Sequence, residues 1–439
     1  MKYSKTTLNY FIAFIILIGT YFIGYKVLRE DFISLFSAFL MLCLGAFYFW
    51  KNNLVKEGII IGIFVRVILL FSIPSLSDDC YRYVWDGNCL LNGIHPFEYI
   101  PSELIRLNYH FLNNQLLSKF NSPNYFSVYP IVLQNIFAIS TFLSNGNEVL
   151  NIFWMKFFFL LFDIGTIYYA YKLLNKVGKS SRNSLIIALH PIIYLETVGN
   201  LHAEGVMLFF VIASFYFLIK RHFVLSAVLL SLSVATKLLP LLFLPLFFVF
   251  IDGKFRMKWL FTFCLSTLIM FSPLLNPDII HNISNSLGLY YHQFEFNASF
   301  YYVLKFIQQQ IWGIRAPRLV GTILLLPTII YLGSYFFRHR STNNNKLFEP
   351  TLFVFTIYLL CGATIHPWYV ILLIGISIFT NFYFSSIWGV FIFSTYIHYS
   401  KYQQYEGWIL TLEYFVVIIC MTIEYKNYLR LSSAKSLSK

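Results

Sequence analysis

The feature that most narrows what this chain can fold into is the recurrence of long apolar runs. Stretches such as "LNYFIAFIILIGTYFIGY" and "GIIIGIFVRVILLFSIP" follow one another along the 439 residues. A helix needs about 20 apolar residues to cross the hydrocarbon core of a bilayer. Runs at 8–25, 32–50, 57–73, 149–172, 183–199, 203–219, 223–236, 238–251, 258–275, 319–337, 348–364, 367–383, 386–400 and 408–425 approach or reach that length. Charged residues make up 12% of the chain, against about a quarter in an ordinary soluble domain. The fold class is therefore all-α, a polytopic transmembrane helical bundle of about 12–14 spans. No room is left for a sizeable soluble domain. The first run is too long for the core of a cleaved signal and lacks a small-residue cleavage site, so it reads as a span that stays. The two runs around Lys237 and Pro240 are short and read as broken or tilted.

A formal net charge of +13 does not point to nucleic acid. The lysines and arginines sit in short loops between apolar runs, where they set orientation in a membrane. With Lys2 and Lys5 on the cytoplasmic side, "KNNLVK" is inside and residues 74–148 form a large outer loop with short helices. Within it, 125–144 resembles another span. If it crosses, "KLLNKVGKSSR", "KRH" and "DGKFRMK" all land outside, against the positive-inside tendency. If it dips in or lies along the interface, every basic loop and the tail "KNYLRLSSAKSLSK" fall inside. The non-crossing reading is the expectation. Three regions follow: N-terminal helices at 1–56, a central module at 57–400, and a last helix with a basic tail at 401–439.

That orientation gathers "SDDCYRYVWDG", "GNLHAEG", Lys237, "YYHQFEFNASFYY" and "IHPWY" on one face of a cell membrane, the outside or periplasmic face. Loops on a rigid scaffold are where chemistry concentrates. Asp78, Arg82 and Asp86 share a helical face at i, i+4 spacing, and a surface ion-pair ladder is the plain alternative. Asp79 is left without an obvious partner, and a carboxylate that can reach a hydroxyl is a general base. A paired-carboxylate glycosidase also needs an acid for its poor leaving group. A phosphate leaving group needs only one base and cationic help for the departing anion. Lys237 suits that second need, since an ammonium deep in a membrane costs a few kcal/mol; the alternative is a lysine snorkelling to the headgroups.

Glu196, His202 and Glu204 share an outer turn. Capping or packing is the ordinary use of such a histidine, and no spacing demands a metal there. His366, Trp368 and Tyr369 flank a proline that frees backbone groups, which is tolerable only beside a cavity or water; aromatic side chains at an interface are otherwise ordinary. Arg66 pairs with a lipid phosphate or with an internal acid such as Asp163, and Lys156 and Asp163 serve packing or pairing inside the bundle. Cys80 and Cys89 can bridge in an oxidising compartment, although unpaired small residues are the simpler reading.

In this order these residues resemble the polyprenyl-phosphate-sugar-dependent glycosyltransferases of the GT-C superfamily, particularly the bacterial membrane mannosyltransferase-like group. The resemblance runs over roughly 57–400. It rests on Asp78, Asp79, Arg82, Tyr83, Trp85, Asp86 and Gly87, then "GIHPFEY", "VYPIVLQNIF", "LHPIIYLETVGNLHAEGVML", "ATKLLPLLFLP", "FEFNASFYYVL" and "HPWY". The chain departs from the family pattern at His95 and Phe97 in an Asn-Pro-Tyr stretch, at Ile131, at His190 and at Glu204. The resemblance implies an inverting transfer of a sugar from a polyprenyl-phosphate donor to a glycan or glycolipid hydroxyl. Asp79 would be the base, with Asp78 as rival or partner. Arg82, Tyr83, Trp85, Asp86, His95, Glu196, His202, Glu204, Lys237, His366, Trp368 and Tyr369 would bind the substrates, the phosphate near Lys237, Arg82 or His366. No cofactor is required; a divalent metal is neither implied nor excluded. Mannose is the family's commonest sugar, with glucose, galactose and arabinose open. A transporter or flippase of a lipid-linked sugar is the alternative. Transporters tend to show internal repeats and mid-membrane polar sites, whereas here no convincing repeat is visible and the polar groups favour one face.

Overall fold

The structure, a computed structural model, describes residues 2–292, 294–313, 317–339 and 346–437; side chains at 287–292, including Tyr290, Tyr291 and His292, lie outside the described set. Among the described residues there is no strand, only an isolated bridge between Phe296 and Thr364. Among the described residues six helices are long and apolar enough to cross a membrane: Lys5–Tyr25, Phe32–Lys51, Glu148–Lys176, Gly253–Leu274, Leu319–His339 and Gln403–Arg430. A seventh crossing is possible if Pro191–Gly199 and Glu204–Ile219, bent by 114°, count as one. The remaining apolar runs form shorter helices, including Phe223–Val234, Leu239–Phe250, Phe348–Leu360 and Pro367–Ser377. Pro191 and Pro245 divide runs that read as continuous, each starting a new helix, because a proline removes a backbone donor and clashes with the preceding turn; Pro240 and Pro367 stand in the first turn of theirs.

The stretch 125–144 forms the helix Ile131–Ser144, begun by Pro130. Its 14 residues rise about 21 Å at 1.5 Å each, short of the ~30 Å hydrocarbon core. It packs between the helix Asp79–Leu91 and the long helix Glu148–Lys176. The N-terminal helices are not an appendage. Phe39 stacks on Phe393 at 3.7 Å, so the second helix joins the C-terminal part of the bundle.

The interior holds several charged groups, each answered locally. Arg66 is fully buried and donates to Asp163 at 2.8 Å and to the carbonyls of Gly62, Ala188 and Ile187. Of the two partners open to Arg66 in the sequence, the structure gives it the internal acid. Lys156 donates to Ser72 Oγ and the Leu69 carbonyl, closing the C-terminal end of the helix Val55–Leu69. Glu413 accepts from Trp388 Nε1 at 2.7 Å and from Asn297 Nδ2 at 3.1 Å. Cys80 and Cys89 are both buried and unbridged.

Candidate active site

The site starts with a short helix. Asp79–Leu91 begins immediately after Asp78, and the Ser77 hydroxyl accepts from the Asp79 amide at 3.3 Å. Because the helix begins at Asp79, Asp78 falls outside its register and faces Arg29 at 3.5 Å, while the i, i+4 pairing is made only by Arg82 and Asp86, at 2.8 Å. Arg82 also donates to the carbonyls of Ser122 and Tyr125. Asp86 accepts from Ser127 Oγ at 2.5 Å and Gln134 Nε2 at 3.0 Å. Trp85 packs its ring edge-on to Phe120. A Cβ on Gly87 would lie 2.2 Å from Thr141 Oγ1 and 2.7 Å from the Phe137 carbonyl, so only glycine lets this helix lie against Ile131–Ser144. The Arg-Tyr-x-Trp-Asp-Gly stretch is thus largely a clamp that fixes the helix carrying Asp79 and Tyr83.

A second element meets them from the opposite side. The helix from Pro191 loosens into a π-turn at Leu195–Gly199 and breaks before Glu204. Leu201 takes a left-handed backbone, φ 64°, a costly conformation for a branched side chain. The break is held by His202 N to Glu196 O at 2.9 Å, Asn200 Nδ2 to Leu195 O at 2.8 Å and Leu76 N to Asn200 Oδ1 at 3.1 Å. Asn200 therefore ties the broken helix to the segment leading into Asp79. His202 and Glu204, both buried, project from the break.

Lys237 arrives from the turn after Phe223–Val234, whose Ala235 carbonyl accepts from the Val132 amide. Its ammonium pairs with Glu204 and lies 4.3 Å from the centre of the Tyr369 ring. An aromatic column completes the wall. Phe296 stacks on His366 at 4.8 Å, His366 on Trp368 at 4.5 Å, and Trp368 on His202 at 3.6 Å. The bridge from Phe296 to residues 363–365 holds the column in register, with Phe296 N to Ala363 O at 3.1 Å and Ile365 N to Phe296 O at 2.8 Å.

These elements enclose a cavity of about 450 Å³, within the usual range for a small-molecule site. Its polar end is formed by Asp79, Tyr83, His202, Glu204, Lys237, Trp368 and Tyr369. The other end is apolar, with Phe271, Leu274 and Leu275 from one outward-facing helix and Leu324 and Leu325 from another. The expected site residues therefore divide. Those seven meet at the cavity. Asp78, Arg82, Trp85, Asp86 and His95 do not line it; nor do Glu196 and His366, which stand one layer behind. Glu196 backs His202, with Oε2 3.0 Å from Nδ1, and accepts from the Tyr396 hydroxyl at 2.8 Å. His95 packs beside Phe97, itself a lining residue.

Asp79 shows part of its surface to the cavity and is otherwise ringed by protein. Burial pushes its carboxyl above the usual range; His202 and Lys237 pull it back, while Asp78 and Glu204 push it further up. Burial drives the His366 imidazole down to about 3, helped by the positive potential of His202 and Lys237, so His366 is neutral near pH 7. Among the described residues no group of three or more His, Cys, Asp or Glu is placed to hold a metal ion.

Sequence reasoning did not single out Tyr129, Tyr396 or Asn200. Tyr129 sits in the "VYPIVLQNIF" stretch and lines the cavity edge-on to Tyr83, so the motif was a usable signal. Asn200 likewise sits in the "GNLHAEG" stretch, whereas Tyr396 carries no such signal, since it acts through Glu196, a partner distant in the chain.

Fold and site together define a polytopic helical membrane protein whose bundle holds an acidic pocket continuous with an apolar trough. Residues 28–252 match the family model of the alpha-(1->6)-mannopyranosyltransferase N-terminal domain. The chain belongs to this family. It is also similar to a GPI mannosyltransferase 1 of Dictyostelium discoideum, 26% identical over 224 residues. That match covers 48% of this chain and 43% of the relative, so the chain spans less than half the length of the curated relative it matches. The family match includes Asp79, His202, Glu204 and Lys237; Trp368 and Tyr369 lie beyond it.

Proposed function

We propose that this protein is an inverting mannosyltransferase that moves mannose from a polyprenyl-phosphate donor to a hydroxyl of a glycan or glycolipid at the outer face of a cell membrane. One observation carries the reading: a single cavity has an acid and an ammonium at its polar end and a trough of apolar side chains at the other. A lipid-linked sugar has the same division. Its isoprenoid would lie against Leu274, Leu275, Leu324 and Leu325, its phosphate near Lys237, and its anomeric carbon toward Asp79. Asp79 takes the proton of the attacking hydroxyl. Lys237 answers the charge that grows on the departing phosphate, the kind of preorganised stabilisation that most lowers such barriers. Trp368 and Tyr369 give the sugar aromatic faces. Family membership supports mannose as the sugar.

The test is transfer by the purified protein from polyprenyl-phosphate mannose, labelled in the sugar, to glycan or glycolipid acceptors. Wild-type protein should transfer label with inversion, and Asp79→Asn should lose activity by at least about a hundredfold, the ordinary yield of a general base. Movement of the intact donor across liposomes without sugar transfer would favour the transporter reading and remove this one.

A further inference from the structure

The donor's phosphate needs hydrogen-bond donors, and Lys237 alone is a weak provision because Glu204 already engages its ammonium. Arg82 is committed to Asp86 and two carbonyls away from the cavity. His366 is packed between Phe296 and Trp368. His202 has a ring nitrogen without a partner among the described residues. His202 is 2% exposed and lines the polar end beside Asp79. Its Nδ1 lies 3.1 Å from the Glu196 backbone carbonyl and 3.0 Å from the Glu196 carboxylate. The carbonyl is an acceptor only, so Nδ1 carries a hydrogen. Its Nε2 is buried and has no hydrogen-bond partner.

Glu196 stands behind the ring. It is fully buried, and its side-chain neighbours are the Tyr396 hydroxyl and His202, with no lysine or arginine paired to it among the described residues. In the complex inferred below, the phosphate in front of the ring and the Glu196 carboxyl behind it would together supply the counter-charge for an imidazolium. An imidazolium has an N–H at both nitrogens, and Nε2, buried and without a hydrogen-bond partner among the described residues, would then be a charged donor. A buried donor left open at the polar end of a substrate cavity is costly unless the substrate completes it.

We infer that His202, backed by Glu196 and Tyr396, is the second contact to the donor's phosphate: Nε2–H donates to a phosphate oxygen on the side opposite Lys237. This deepens the proposed function and rests on it. The stack on Trp368 at 3.6 Å fixes the plane of the ring, so the donor direction is set before the lipid arrives. In transfer the bond from the anomeric carbon to the phosphate oxygen breaks, and its electron pair stays on that oxygen. The His202 hydrogen bond strengthens as that charge grows, while the acceptor's proton goes to Asp79.

The probe is farnesyl phosphate, a short polyprenyl phosphate, titrated into the full-length protein in detergent, with inorganic phosphate as the tail-free arm. His202→Phe keeps a ring against Trp368 and removes both nitrogens. Glu196→Gln/His202→Phe does the same without stranding a buried carboxylate. Glu196→Gln alone removes the counter-charge at constant size. Farnesyl phosphate should bind the wild type more tightly than inorganic phosphate. The single and double phenylalanine variants should lose about tenfold or more of that affinity, the yield of a hydrogen bond to a charged group, with Glu196→Gln weaker in the same direction. In turnover the loss should appear in KM for the donor and not in KM for the acceptor. If the wild type binds farnesyl phosphate and every folded variant binds it equally well, the His202 assignment is overturned and the proposed function stands. If the wild type does not bind it, the donor reading fails and this assignment with it.

Discussion

At the scale of single residues, the two adjacent aspartates show how little sequence neighbourhood decides. Asp78 is partly exposed and faces Arg29, 49 positions away in the chain; Asp79 is turned into the cavity. A general base works ionised. Raising the Asp79 carboxyl, chiefly by burial, therefore moves the acidic limb of kcat/KM above the ordinary aspartate range near 4. Asp78 adds to that rise by like-charge repulsion, so Asp78→Asn should shift the limb to lower pH while Asp79→Asn abolishes the activity that defines it. A pH profile of both variants checks the sign. That Asp79 lines the cavity and Asp78 does not took the structure; that Asp79 lacks an obvious partner was legible in the sequence, since positions 78, 82 and 86 could pair with one another. The details of the ladder were not, because the helix begins one residue later than the spacing argument assumed.

At the scale of elements, the site depends on two departures from regular helix. One is the close approach of Asp79–Leu91 to Ile131–Ser144 at Gly87. Gly87→Ala has no room against the Phe137 backbone, and overpacking of this kind costs about 1–3 kcal/mol. It should lower the thermal midpoint of the purified protein and displace Asp79, so that transfer falls more than stability alone explains. The other departure is the break at 199–204. The sequence marked its residues as an outer turn with two acids and a histidine, which is where His202 and Glu204 sit. It did not reveal the left-handed Leu201 or the Asn200 tie to Leu76. Those are tertiary constraints, and a leucine or asparagine in a turn carries no local mark of them. The buried Arg66–Asp163 pair lies just beneath and also receives the Thr197 hydroxyl. Asp163→Ala would strand a buried guanidinium at a cost of about 3–5 kcal/mol, seen as a large drop in the unfolding temperature.

At the scale of the whole molecule, the helical membrane class was fully legible, because apolar runs of that length have few other uses. The number of full-length crossings was less so: several apolar runs form helices of 10–17 residues, and one pair is bent by 114°. The polar end of the pocket was half visible in advance. The apolar end was invisible, since Phe271, Leu274, Leu324 and Leu325 are unremarkable leucines and a phenylalanine in a chain that is 58% hydrophobic. Only coordinates show that they belong to two helices with most of their surface turned outward, each with 17% of its spanning window buried. That is where an isoprenoid could pass between bundle and lipid.

The most direct test of the account is an electron cryomicroscopy map of the protein with a non-reactive polyprenyl-phosphate sugar analogue bound. The account predicts phosphate density between Lys237 and His202, the sugar against Trp368 with its anomeric carbon facing Asp79, and the tail running along Leu274 and Leu324. Density for the analogue elsewhere, with this cavity empty, would contradict it.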